Sequence, residues 1–298
     1  MALGLIFAAA VLAAAVNFCL RKNLEHQKSA NGYLALYFIF SFLISFVFRR
    51  QFDLSSFSPA MISIGMVAGA LNLMMMTFVA RALQVGSSGL TFAFQNSGSL
   101  FPAIFLYFIF GKAFGFNLDA PLLIGFFCLA AGLFLSVWNP IRTSHFTQWL
   151  VLALAVFLIQ GIILSIFQWK SLLMEHPAKS HLLIPWSSSM DEDLWFAPGF
   201  FLIPAVFQSI RFGFAERRWF HSKELTLGVI AGLLNGGATF CLLLATHLAS
   251  VGIRPILFPL FAAAVIFFCN LWGKKVYQEP IPWKALLLCM AGIIIGSL

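Results

Sequence analysis

The sequence predicts an all-α membrane protein of ten transmembrane helices, arranged as two five-helix inverted repeats. Three observations predict it: an apolar composition, a division into ten apolar runs, and motifs that recur in the two halves. Hydrophobic residues make up 61% of the 298 residues and charged residues 9%, where soluble domains hold roughly 45–50% and about 25%. Phe alone occurs 36 times. A soluble fold has too few charges here to cover its outside, so lipid is the solvent that fits.

A hydrocarbon core of about 30 Å needs about 20 helical residues. Runs of that kind lie near 2–20, 32–48, 59–83, 87–111, 120–139, 147–169, 195–211, 224–248, 251–272 and 282–298. The first is expected to be a retained span, because no Lys or Arg precedes Arg21 as a signal peptide would require. Most connections are short. The exception is 170–194, a polar loop with His176, His181 and the cluster Asp191-Glu192-Asp193. The net charge of +8 falls mostly between the apolar runs. It therefore speaks for topology and lipid headgroups and against nucleic acid. The five cysteines lie in or beside apolar runs without a CxxC pair, so neither a disulfide framework nor a zinc site is expected.

The repeat divides the chain into 1–141 and 142–298. Val67-Ala68-Gly69-Ala70-Leu71-Asn72 in the third span matches Ile230-Ala231-Gly232-Leu233-Leu234-Asn235 in the eighth. Val85-Gly86 matches Val251-Gly252 at the start of the next span, and Gly111-Lys112 matches Gly273-Lys274 at its end. Five spans per half is an odd number, so the second half enters the membrane from the opposite side. The result is a pseudo-two-fold axis in the membrane plane, and two such halves can rock between outward-open and inward-open states.

The blocks FVARALQVGSSGLTFAFQNSGSLFPAIFLYFIFGKAFG and ATHLASVGIRPILFPLFAAAVIFFCNLWGKK, each followed by a Gly-containing apolar helix, resemble the drug/metabolite transporter superfamily, in particular its ten-span EamA-like family. The shared pattern is Ala-Leu, a Gly at a tight turn, a mid-helix Pro and a Gly ending the helix. Members often carry an acidic residue after that last Gly. Here Lys112 and Lys274 stand there, and Glu279 follows later. The resemblance implies a multi-pass protein of the bacterial inner (plasma) membrane that carries a small organic metabolite, more often outward. It also implies termini inside. The larger share of Lys and Arg lies in the odd-numbered connections, which by the positive-inside rule places the termini outside.

In inverted-repeat carriers the site lies near the midplane, where helices are interrupted by Gly or Pro. The hinge candidates are Gly98, Pro102, Pro255 and Pro259. The substrate-binding candidates are polar or aromatic residues on the spans. Asn72 and Asn235 occupy equivalent mid-span positions, and an amide turned to lipid would cost several kcal/mol. Their alternative role is hydrogen bonding between helices. Gln95 and Asn96 are adjacent, so at least one faces inward. Arg81 and His247 are ionisable residues near span ends, either binding a substrate or reaching to the interface. Phe94 and Phe258 are the aromatic candidates, with packing as the alternative for Phe94. Asn17 and Gln160 are lone amides on the first and sixth spans.

All ten Asp and Glu residues avoid the centres of spans, which favours a facilitator or exchanger over a carboxylate-based proton antiporter. The expectation is alternating-access transport of a small molecule such as an amino acid, a nucleoside- or cofactor-like compound, or a cationic drug. It requires no cofactor and no metal, and the protein is a monomer or homodimer in the bilayer. An integral-membrane enzyme would have to use His176, His181 and the acidic cluster, whose spacing is not that of a tight metal site. A scaffold without transport has no need of the repeat.

Overall fold

A computed structural model describes residues 2–27, 29–47, 57–110, 119–138, 145–175, 194–248, 254–279 and 283–296. Among the described residues the chain is all helix and turn, with no strand. The helices are α1 Ala2–His26, α2 Asn31–Val47, α3 Pro59–Val85, α4 Ser88–Ser97, α5 Phe101–Phe110 and α6 Ala120–Trp138. Then follow α7 Phe146–Glu175, α8 Phe196–Glu216, α9 Ser222–Leu248, α10 Arg254–Tyr277 and α11 Trp283–Ile295.

Six of these helices are long and apolar enough to cross a membrane: α1, α3, α7, α8, α9 and α10. Large apolar side chains also face outward, Phe7, Phe127, Phe134 and Phe214 among them. A chain that is apolar both inside and outside is a multi-pass integral membrane protein. The helices α1, α7 and α8 run past the ends expected at 20, 169 and 211, to His26, Glu175 and Glu216. Hydropathy marks where lipid ends, whereas a helix ends where its hydrogen bonds do, so polar turns continue the rod into the headgroup layer. At the start of α3, Pro59 takes the first position and Ser58 Oγ accepts from the Met61 N–H at 3.4 Å.

The run at 87–111 is not one rod. Between α4 and α5, Gly98–Leu100 form a 3-10 turn. Pro102 has no N–H to offer the Gly98 carbonyl four residues back. The Phe101 N–H bonds that carbonyl instead, which is the tighter 3-10 pattern. Gly98 is also where this break meets α7: a Cβ there would lie 2.9 Å from the Gly161 nitrogen and the Phe157 oxygen. Pro259, by contrast, sits within continuous α10, and Pro255 lies in its first turn.

Packing follows a pattern in which α1 lies on α9 and α10, while α7 lies on α3 and the α4–α5 rod. The helix α2 packs on α9 and α8, and α3 packs on α8. The helices α6 and α11 pair with each other. Small residues permit close crossings, two of them on corresponding glycines. A Cβ on Gly69 of α3 would stand 2.2 Å from the Phe200 oxygen of α8, and one on Gly232 of α9 would stand 2.7 Å from the Tyr37 oxygen of α2. Gly65 precedes Asn72 by the same interval as Gly228 precedes Asn235, and both extend these contacts.

One end of the bundle is basic. Arg21 Nη1 donates to the Leu83 oxygen at 2.7 Å and its guanidinium lies over the Tyr277 ring at 5.3 Å, which joins the C-terminal ends of α1, α3 and α10. Ser29 Oγ donates to Glu216, and Lys223 lies beside His26, which brings the α8–α9 connection to the same end. There Arg218 holds Glu224 through two hydrogen bonds of 2.7 and 2.8 Å and also pairs with Glu216. The hydrogen bonds to Glu224 hold the Arg218 guanidinium above its ordinary pKa.

Candidate functional site

A cavity of about 120 Å³ lies inside the bundle. Six amide side chains line it, brought by five helices: Asn17 on α1, Asn72 on α3, Gln95 and Asn96 on α4, Gln160 on α7 and Asn235 on α9. The aromatic residues Tyr37, Phe167, Phe200, Phe258 and Phe261 share the wall with apolar side chains such as Met75, Met76 and Val265. Among the described residues, no Asp, Glu, Lys, Arg or His lines it. The site is thus polar, uncharged and aromatic, enclosed by apolar helices.

Four of the six amides are oriented by protein partners. Asn96 Nδ2 donates to the Phe92 carbonyl at 2.8 Å, within its own helix. Asn235 Nδ2 donates to Ser41 Oγ at 3.1 Å, and Ser41 in turn donates to the Gly232 oxygen at 3.1 Å. Asn17 Nδ2 lies 3.5 Å from Cys269 Sγ, and Gln95 Nε2 lies 4.0 Å from Met75 Sδ. Gln95 Oε1 is buried without a partner. Asn72 and Gln160 make no hydrogen bond to protein among the described residues. A buried amide group without a partner costs about 1–3 kcal/mol, so this cavity is poised for a polar occupant.

Of the residues the sequence singles out, Asn72, Gln95, Asn96, Asn235 and Phe258 come together here, as do the lone amides Asn17 and Gln160. Phe94 does not join them. It points to the other side of α4 and packs edge-on against Trp149, with ring centroids 5.7 Å apart. Arg81 is exposed on the outside of α3. His247 lies in α9, but its side chain is outside the described residues, as are those of Arg254 and Pro255. The loop residues His176, His181 and Asp191-Glu192-Asp193 also lie outside them.

Sequence reasoning misses Tyr37, Phe167, Phe200, Phe261 and Thr239. With 36 Phe residues in the chain, aromatic identity carries no signal of its own. It also misses what Glu279 does. Its carboxylate reaches the start of α4 and accepts from Ser87 Oγ at 2.9 Å and Ser88 Oγ at 2.6 Å. It further accepts from the Ser88 and Gly89 N–H groups at 3.2 and 3.1 Å. The N-terminus of α4 is therefore capped from beyond the far end of α10 and not by its own preceding residue. Above the cavity, Phe92 packs edge-on against Trp272, which packs against Phe18 and Tyr277. The Arg21 contacts continue this cluster towards the basic end. In the opposite direction Thr239 also lines a second, smaller void of about 10 Å³, bounded by Ser45, Leu194 and Phe240.

No family model matches the chain, and no curated protein matches it. Solved structures do resemble it. One, described only as "Crystal structure of protein", superposes over 99% of this chain and 94% of its own, with a TM-score of 0.64 at 16% identity. At that identity the likeness is one of fold alone, and it extends over nearly the whole of both chains.

Proposed function

We propose that this protein is a secondary transporter, a facilitator or exchanger that moves a small organic metabolite across a bacterial inner membrane by alternating access. The observation that carries this reading is the convergence of six amides from five helices on one uncharged cavity. A stack of amides inside an apolar bundle is costly unless something polar visits it. A static scaffold would fill the same space with apolar side chains.

On this reading the ten apolar runs are ten spans, with α4 and α5 forming one broken span, and the halves are inverted repeats of the drug/metabolite transporter type. The packing supports it. Exchanging each span for its counterpart five places on turns the α1–α9 contact into the α7–α3 contact, and the α2–α9 contact into the α8–α3 contact. The pairs α2–α8, α6–α11 and the α4–α5 rod with α10 map onto themselves. The Gly69 and Gly232 crossings are exchanged in the same way.

The test is flux. Purified protein in liposomes exchanges radiolabelled members of a metabolite panel, and the active solute is followed in Gln95→Ala and Asn72→Ala. Loss of about tenfold or more in transport with unchanged reconstitution is the expected result. Full transport by both variants, or no saturable flux of any solute, would overturn the proposal.

A further inference from the structure

We propose that the occupant of the central cavity is a small organic amine, bound as its ammonium ion through the oxygens of the amides. This inference deepens the transport reading and rests on it for the site, while the choice of ligand rests on separate observations.

The first is which end of each amide the protein already uses. The Phe92 carbonyl can only accept, so Asn96 must present its NH2 to it and keep its oxygen free. Asn235 is placed with its NH2 towards Ser41 Oγ, whose own proton goes to the Gly232 oxygen. A thioether has no proton, so it is the Gln95 NH2 that faces Met75. In Asn96 the partner's chemistry fixes the orientation, and Gln95 and Asn235 are placed with the same polarity, donor end engaged. Asn17 is placed with the same polarity beside Cys269. In these four amides the oxygen is the end left for a ligand, while Asn72 and Gln160 can present either end. Gln95 Oε1 is buried and has no partner, in a residue that lines the cavity and is 9% exposed overall.

The second observation is the wall between the amides. Five aromatic rings line the cavity with no cationic side chain among the described lining residues. Amide oxygens and ring faces both present negative partial charge. A carboxylate or phosphate would meet them without a counter-ion. An ammonium group has three N–H donors and no acceptor. It can satisfy several oxygens at once, where a neutral alcohol offers one proton. Its alkyl part then lies on the aromatic rings.

The third is size. The cavity of about 120 Å³ is somewhat smaller than the ~150 Å³ apolar cavity that accepts benzene. The fit is to a molecule of roughly six non-hydrogen atoms. A nucleoside is too large for this conformation.

The experiment measures binding of n-butylamine, butyrate and butyramide to the full-length protein in nanodiscs, by calorimetry and by thermal shift near neutral pH. The expected result is saturable binding of n-butylamine, at least tenfold tighter than butyramide, with none of butyrate. Gln95→Met keeps the volume and removes the oxygen, and weakens amine binding at least tenfold. Gln95→Glu places an anion at the same point and tightens it, which a folding defect would not do. Butyrate binding as tightly as the amine, amine binding untouched by Gln95→Met, or no amine binding at all overturns the inference. If the liposomes nonetheless carry a carboxylate or neutral solute in a Gln95-dependent way, the transport reading stands and only the ligand class falls.

Discussion

Replacing Glu279 with Ala tests whether the start of α4 is fastened from across the bundle. The carboxylate accepts two hydroxyls and two backbone N–H groups of α4's first turn. Losing an N-cap costs about 0.5–2 kcal/mol, and each hydrogen bond to a charged group contributes about 1.5–3 kcal/mol. Glu279 is partly exposed, so water takes over much of what the carboxylate supplied, and the hydroxyls can turn to other partners. A loss of about 2 kcal/mol for local opening is the reasonable magnitude, which is about 30-fold in the opening equilibrium. Amide hydrogen exchange reads this directly. The peptide spanning 84–97 in Glu279→Ala is expected to lose about 30-fold of protection at Ser88 and Gly89, while peptides of α2 keep theirs. Glu279→Gln, which retains the shape and one accepting oxygen, is expected to lose less. Unchanged protection at Ser88 and Gly89 would show that the carboxylate fastens nothing. An equal loss in every peptide would show global unfolding in place of a released latch.

Three further outcomes follow from the packing. Arg218→Met leaves Glu224, whose side chain is fully buried, without its cation. Breaking such a pair costs about 3–5 kcal/mol when both groups are buried, and the partial exposure of Arg218 brings this to about 2 kcal/mol. Thermal unfolding should show it, and the double variant with Glu224→Gln should lose less than the sum. Gly69→Leu and Gly232→Leu each push a side chain into backbone at under 3 Å and should cost about 1–3 kcal/mol or more. Gly213→Leu, which meets nothing within 4 Å, should stay within about 0.5 kcal/mol. Trp149→Phe removes the indole N–H that donates to Thr91 Oγ1 at 3.0 Å. It should lower the unfolding midpoint by the equivalent of about 1 kcal/mol while leaving ligand binding intact, because the contact lies outside the cavity lining.

Much of the site is legible in the sequence because it is written in a rare alphabet. On apolar spans an amide has few tolerable positions, so Asn17, Asn72, Gln95, Asn96, Gln160 and Asn235 stand out, and all six line one cavity. The break at Gly98–Leu100 is legible too, since Gly followed by Pro four residues on removes both a side chain and a donor. What sequence alone does not supply is direction around a helix axis. Phe94 and Gln95 are neighbours about 100° apart, and only tertiary packing sends Gln95 to the cavity and Phe94 to Trp149. Arg81 is placed correctly along α3, yet its exposed face is set by how α3 meets α7 and α8. Glu279 is beyond sequence reasoning for a different reason: its partners lie about 190 residues away in a connecting turn with no periodic pattern.

The same carboxylate bears on which state the described conformation represents. On the proposed inverted repeat, Gly111-Lys112 corresponds to Gly273-Lys274, so the counterpart of Glu279 is Asn117. An amide offers one accepting oxygen and no charge. The nearest acidic residue, Asp119, is engaged locally, where its Oδ1 accepts from the Leu122 N–H at 3.1 Å. On that proposal the two corresponding positions are unequal in chemistry. The basic end has a charge-assisted fastening, which the side chain of Asn117 at the proposed counterpart position does not offer. In a carrier that rocks between two states, such a difference sets the resting population. The shift of about 2 kcal/mol expected for Glu279→Ala is enough to bring a state populated at a few per cent to comparable abundance. Removing the latch should therefore leave the affinity of the cavity intact and change the side from which it is reached.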